Sequence, residues 1–480
     1  MKLKLFCLLL VAWGGKTVLV MEKPETEQLP SIKLKVTDKG LNFIKDAGLA
    51  LAMKQVKDIK LPDVSGKART PIGKVKYSLS GLKINSFTLG TSKITTEAPR
   101  TIRLILQNAF LQLNGNWRYK YLFISDHGSF DAKANGISVN LAISVGMDGL
   151  GKPSVKTGSC SSNIGSISLK VHGGASWLYN LILKAMNGNI KHSVQKQICP
   201  AITKAINNQA EKALSKLNVK IPFLRNLVVD ASLTHAPLVT SQSIQLLAQG
   251  RCFPKSNPNI KFPFLPTVIS VPPGTDQMTD VVIGEFLFET LGYSLWSENA
   301  LDIWITNDML PKKYQNVTAD MFAAFIAGFS KFKGRPLQFR LNVTKPPKFD
   351  IGPGVIKVTV ELDFLTYVLL KNKTKLLAMN LHAATKASGN LAVSSEKFTA
   401  SVSSMSATVS AKSSVVGKLP VTLLNFLLPG ALRSYVIPAV NKILQKGYPL
   451  PTITGVSYVT PKLQLVQGAL VGNCDWKIAT

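Results

Sequence analysis

Acidic residues are scarce in this chain of 480 residues: 26 Asp and Glu stand against 57 Lys and Arg, leaving a net charge of +31. Histidine is scarcer still. His127, His172, His192, His235 and His382 are scattered, with no HExxH pair and no cysteine–histidine spacing, so zinc chemistry lacks a ligand set. No GxSxG elbow and no phosphate-loop pattern occurs, and no catalytic residues are assigned. Beyond the first 20 residues no uninterrupted apolar run reaches spanning length, so the mature chain is expected to be soluble.

What is present is basic charge, leaning towards the first half, on a chain long enough for two cores. Such a field favours polyanions: nucleic acid, anionic glycans or acidic lipid surfaces. Met1, Lys2, Leu3 and Lys4 followed by the apolar run Leu5 to Trp13 read as a secretory signal, placed at residues 1–20. Its removal takes Cys7 and leaves Cys160, Cys199, Cys252 and Cys474, whose pairing the sequence leaves open. Sequons at Asn316, Asn342 and Asn372 agree with secretion. A nucleic-acid binder would explain the charge but neither the signal nor the apolar helices.

Element order suggests a duplication. A helix is predicted from Thr37 or Asp38 to Ile59, then a meander of antiparallel strands over 74–150. A long amphipathic helix follows Ser161, Ser162 and Asn163, with Trp177, Leu181, Met186, Ile190, Val194 and Ile198 at helical spacing and a kink at Pro200. Six prolines in 251–275 mark a stiffened linker. The plan then recurs over 276–480: a short helix at Phe286–Leu291, strands from Leu337 to Val409, and an apolar helix from Leu423 to Leu444.

The turn Ser159-Cys160-Ser161-Ser162 with Trp177-Leu178 and Cys199, the turn Asp308-Met309-Leu310-Pro311, and the run Leu444-Gln445-Lys446-Gly447-Tyr448-Pro449-Leu450-Pro451 together resemble the bactericidal/permeability-increasing and lipopolysaccharide-binding protein family. The resemblance spans nearly the whole mature chain. It implies an α+β fold: an elongated boomerang of two related halves, 21–250 and 276–480, each a twisted antiparallel barrel with long helices, joined by a central antiparallel sheet. It further implies a disulfide between Cys160 and Cys199 and an apolar phospholipid pocket in each half, walled by helices carrying Trp177 and Leu181 in one and Leu423 and Leu427 in the other. It implies bound phospholipid and no metal or cofactor. Cys252 and Cys474 match no family bond; a second bridge between them is weighed against two free thiols.

Basic residues of the first half supply the expected endotoxin-binding tip: Lys67, Arg69, Lys93, Arg118 and Lys120. In Trp117-Arg118-Tyr119-Lys120-Tyr121, strand alternation puts the rings on one side and the cations on the other. Such a hairpin could set rings among acyl chains and cations against phosphates. The expected protein is a secreted monomer, stored in granules in some settings, that binds lipid A on the Gram-negative outer membrane and acts as an antibacterial of innate immunity. The alternatives are an extracellular phospholipid carrier and a protein that presents endotoxin without killing.

Overall fold

A computed structural model describes residues 29–56, 59–173, 176–224, 226–268, 276–305, 315–450 and 456–478. The expected signal, the Asp308–Pro311 turn, and the side chains of Trp177 and Leu181 lie outside the described residues. The fold is α+β, with four antiparallel sheets among the described residues.

The first-half sheet runs in the order Val64–Thr70, Gly73–Thr88, Thr101–Tyr121, Ile124–Met147, Pro153–His172, with Thr91–Glu97 added along Thr101–Tyr121. Strand Thr101–Tyr121 shows why these residues form a barrel wall. Leu111, Leu113, Trp117 and Tyr119 are buried, while Arg118 and Lys120 on either side of Tyr119 are exposed, the period-2 pattern of a strand with one dry face. The pairing with Ile124–Met147 slips between Leu106 and Leu111, where Asn108 takes a positive φ of 58°. Such a bulge bends the ribbon and increases its twist. Ser159–Ser162 lies within strand Pro153–His172 and is not the turn expected from sequence.

Helix Ser176–Ala205 covers this barrel and passes through Pro200 without ending. A π-helical turn, Ile206–Ala210, and a short helix, Glu211–Ser215, extend it. Ile182, Met186, Ile190 and Val194 are buried against Tyr77, Leu79, Leu113 and Phe130 in the first-half core.

The halves are joined by a six-stranded sheet. Ile32–Thr37 lies between Ser243–Ala248 from the first half and Thr279–Gly284 from the second; the latter pairs with Ala469–Ile478, and that with Val456–Val466. Lys39 Nζ reaches the Asp475 carboxylate at 2.8 Å, tying helix Asp38–Val56 to the last strand. The linker is ordered where described: Phe262 and Phe264 pack against Phe286 and Tyr293 of helix Glu285–Ser297, with ring centroids 5.6 to 6.1 Å apart.

The second-half sheet runs Asp302–Ile305, Leu337–Val343, Val355–Leu369, Lys375–Val393, Lys397–Ser414, Tyr448–Pro449. Its helix spans Val421–Leu444 with a π-helical turn at Leu432–Val436. Between these elements lie a short helix, Ala319–Ala323, and a 3₁₀ segment, Ala327–Phe332.

Candidate functional site

The basic residues of the first half are gathered by strand register. Lys67 lies opposite Lys76, and Lys76 opposite Lys120, so three lysines form one row across three strands. Arg69 lies opposite Lys74, and Arg118 between Ser78 and His127. Lys67, Arg69, Lys74, Lys76, Arg118 and Lys120 are all exposed, and among the described residues none of the six has a carboxylate partner. Like charges directly opposite one another weaken a sheet, so the row works against the fold's own stability unless an anion lies over it.

Beside this row two hairpin turns project apolar side chains. Leu122, Phe123 and Ile124 are 69%, 102% and 50% exposed, and Ile72 is 37% exposed. The Tyr121 hydroxyl donates to the Ile72 carbonyl, holding the two turns together.

Two expectations change here. Trp117 and Tyr119 lie in the barrel core, stacked at 5.8 Å, rather than at an interface; Trp117 Nε1 donates to the His172 carbonyl at 3.2 Å. Gly128 permits that contact, because a Cβ there would collide with the same carbonyl. Lys93 does not join the tip. It pairs with Ile105, which lies 13 residues from Arg118 on the same strand, roughly 40 Å away at about 3.3 Å per residue.

Among the described residues the edge strand Pro153–His172 has no further strand partner, and the helix and its extension supply bonds along it. Val155 N–H donates to the Glu211 carboxylate at 2.7 Å, Thr157 N–H to Asn207 Oδ1 at 3.0 Å, and Ser162 Oγ to the Gln195 carbonyl at 3.1 Å. Cys160 and Cys199 form the expected disulfide across the same seam. Edge strands left bare invite intermolecular pairing, and this cover prevents it. Under the seam lies an apolar cavity of about 120 Å³, lined by residues that include Ile59, Phe87, Leu106, Val139, Val194 and Ile198.

In the second half the corresponding strand is Lys397–Ser414, an edge strand among the described residues beyond its short pairing of Lys397 and Phe398 with Pro449 and Tyr448, and two asparagines replace the disulfide. Asn425 accepts from Val409 N–H at 2.8 Å and donates to its carbonyl at 2.9 Å; Asn441 does the same at Val402, at 2.7 and 3.0 Å. Leu423 and Leu427 point away from that strand and are 40% and 50% exposed, so the inward positions belong instead to Leu424 and Leu432.

Cys252 and Cys474 are free buried thiols, which removes the second bridge. They sit in different sheets. Cys252 has its N–H on Thr290 Oγ1 and its carbonyl on Ser294 Oγ, whereas Cys474 lies opposite Thr279 in the central sheet. Burial pushes the Cys252 thiol up to about 12.

Of the sequons, Asn316 and Asn372 are exposed and Asn342 is half-buried on strand Leu337–Val343. Asn372 occupies a hairpin turn, where its Oδ1 accepts from the Thr374 N–H and hydroxyl.

Residues 40–217 match the N-terminal domain, and residues 224–478 the C-terminal domain, of the LBP / BPI / CETP family. A bactericidal permeability-increasing protein from Sebastes schlegelii is 32% identical over 450 residues, 93% of this chain and 95% of that protein. The lipopolysaccharide-binding protein of Homo sapiens is 27% identical over 439 residues, 91% of each. A crystal structure of lipopolysaccharide binding protein overlays with a TM-score of 0.62 at 24% identity, covering 94% of this chain and 99% of that one, which agrees with the two-half fold.

Proposed function

This chain belongs to the LBP / BPI / CETP family, and from that premise we propose that it is a secreted antibacterial protein that binds lipid A of Gram-negative endotoxin through the first-half tip. It is a lipid-binding protein and not an enzyme. The observation that carries the reading is the in-register row Lys67, Lys76 and Lys120 beside the exposed turn Leu122-Phe123-Ile124. Ammonium groups act as point charges on phosphate while Arg69 and Arg118 offer bidentate forks, so the mixed cluster suits the phosphorylated head of lipid A. Each cation near an anionic surface contributes about 1 kcal/mol. Together they compete with the divalent ions that bridge neighbouring endotoxin phosphates, and the apolar turn follows into the acyl layer.

The first-half cavity supports phospholipid as a second ligand. At about 120 Å³ it is smaller than the roughly 300 Å³ at the lower end of small-molecule sites, so lipid entry would require the helix to yield. A phospholipid carrier is the second reading, favoured by that cavity. The two separate on a titration of endotoxin and of phosphatidylcholine at several salt concentrations. Endotoxin binding that is tighter and falls steeply with salt supports the first; equal binding to phosphatidylcholine removes it.

A further inference from the structure

The second-half helix Val421–Leu444 has an apolar face that is turned to solvent. Among the described residues it is the one helix long and apolar enough to cross a bilayer, yet only 6% of its most apolar window is buried. A helix apolar on all sides belongs in a core or in lipid. It does not span, because Asn425 and Asn441 fasten it along the edge of strand Lys397–Ser414. Opposite those asparagines runs an outward stripe: Leu423, Phe426, Leu427, Val436 and Ile443 are 40%, 78%, 50%, 38% and 66% exposed. Tyr435 beside it is 47% exposed.

The surrounding charge names the partner. No Asp or Glu occurs between Glu396 and Asp475, while Arg433, Lys442 and Lys446 are carried on or just beyond the helix and are exposed. An apolar row with aromatic members, on a helix whose only charged side chains are the cations Arg433 and Lys442, is the composition of a helix that lies in the plane of an anionic bilayer. A surface of phosphate groups complements those cations and the apolar row together. We propose that Val421–Leu444 is a second lipid-surface contact, in which Phe426, Leu427 and Ile443 enter the interface of an anionic bilayer while Arg433 and Lys442 meet its head groups. This contact is independent of the first-half tip.

The test uses the full chain as the Phe426→Cys variant carrying an environment-sensitive fluorophore, with the unlabelled parent as the control for the buried native thiols. A second labelled variant, Phe123→Cys, reads the tip. Both are mixed with vesicles of phosphatidylglycerol in phosphatidylcholine, and separately with a short-chain phospholipid below its micelle concentration. The proposal expects the fluorophore at position 426 to shift to the blue on anionic vesicles and to be quenched by shallow lipid-borne quenchers, with no change in monomeric phospholipid. Phe426→Asp should lower vesicle affinity roughly tenfold, the loss of one buried aromatic side chain. A shift at 123 alone overturns the helix contact and leaves the tip standing; a shift at 426 alone does the reverse. A response at 426 to monomeric phospholipid equal to that on vesicles also overturns it, by making the stripe the wall of a pocket.

Discussion

Asn441 meets Val402 as one strand would meet another: its Oδ1 accepts the Val402 N–H at 2.7 Å and its Nδ2 donates to the Val402 carbonyl at 3.0 Å. Asn425 repeats the arrangement at Val409. Replacing both with Ala leaves two backbone pairs of the edge strand without protein partners. The expected cost is about 1 kcal/mol per site, since water reaches this half-buried seam. Differential scanning calorimetry should find the second-half transition lowered and the first-half transition unmoved.

The disulfide does the same work in the first half with a covalent bond. Cys160 and Cys199 are 39 residues apart, and a loop of that length predicts about 4 kcal/mol from chain entropy. The double variant Cys160→Ser, Cys199→Ser should lose most of that in guanidinium unfolding of the first half. The bonds of Glu211 and Asn207 to Val155 and Thr157 should keep the helix docked below the transition.

Asp230 gives the junction an acid-sensitive point. Burial alone raises its pKa, but the Lys220 ammonium at 2.5 Å and the Ser232 hydroxyl and N–H outweigh that and hold it below the usual carboxylate range; the Arg251 guanidinium also lies at 3.3 Å. A carboxyl group with a depressed folded pKa releases its proton more readily when folded. Its stabilisation is therefore present above about pH 4 and is lost as pH falls through the lower folded value. Asp230→Asn should cost about 2 kcal/mol at neutral pH and flatten the stability profile below pH 4.

Cys252 should resist alkylation in the native protein. Its thiol is pushed up to about 12 by burial, and the thiolate is the reactive form. Mass spectrometry after iodoacetamide treatment is expected to find Cys252 unmodified in buffer and modified in denaturant.

Much of the architecture was legible because periodicity and element order report it directly. The limits lie at particular residues. Alternation in Trp117 to Tyr121 separated rings from cations, but which side is dry depends on the helix packed across the sheet, and Trp117 and Tyr119 went inside. Leu122-Phe123-Ile124 runs against the usual turn composition of Gly, Asn, Asp or Pro, and that apolar turn is itself the signal in the sequence. That Lys93 falls far from the tip is hidden, because charge clusters in sequence do not reveal position along a strand of 21 residues. The outward faces of Leu423 and Leu427 are not legible in the sequence, because a helix apolar on every side gives periodicity no face to choose. Asn425 and Asn441, the polar interruptions, would have marked the face against the sheet.

The most direct test of the account is endotoxin affinity in low salt for the triple variant Lys67→Ala, Lys76→Ala, Lys120→Ala beside the single variant Lys93→Ala. Three cations at about 1 kcal/mol each predict a loss of roughly a hundredfold for the triple variant. Lys93→Ala should bind as the parent does. Unchanged binding by the triple variant, or a loss on changing Lys93 as large as that on changing the row, would contradict the assignment of endotoxin to the first-half tip.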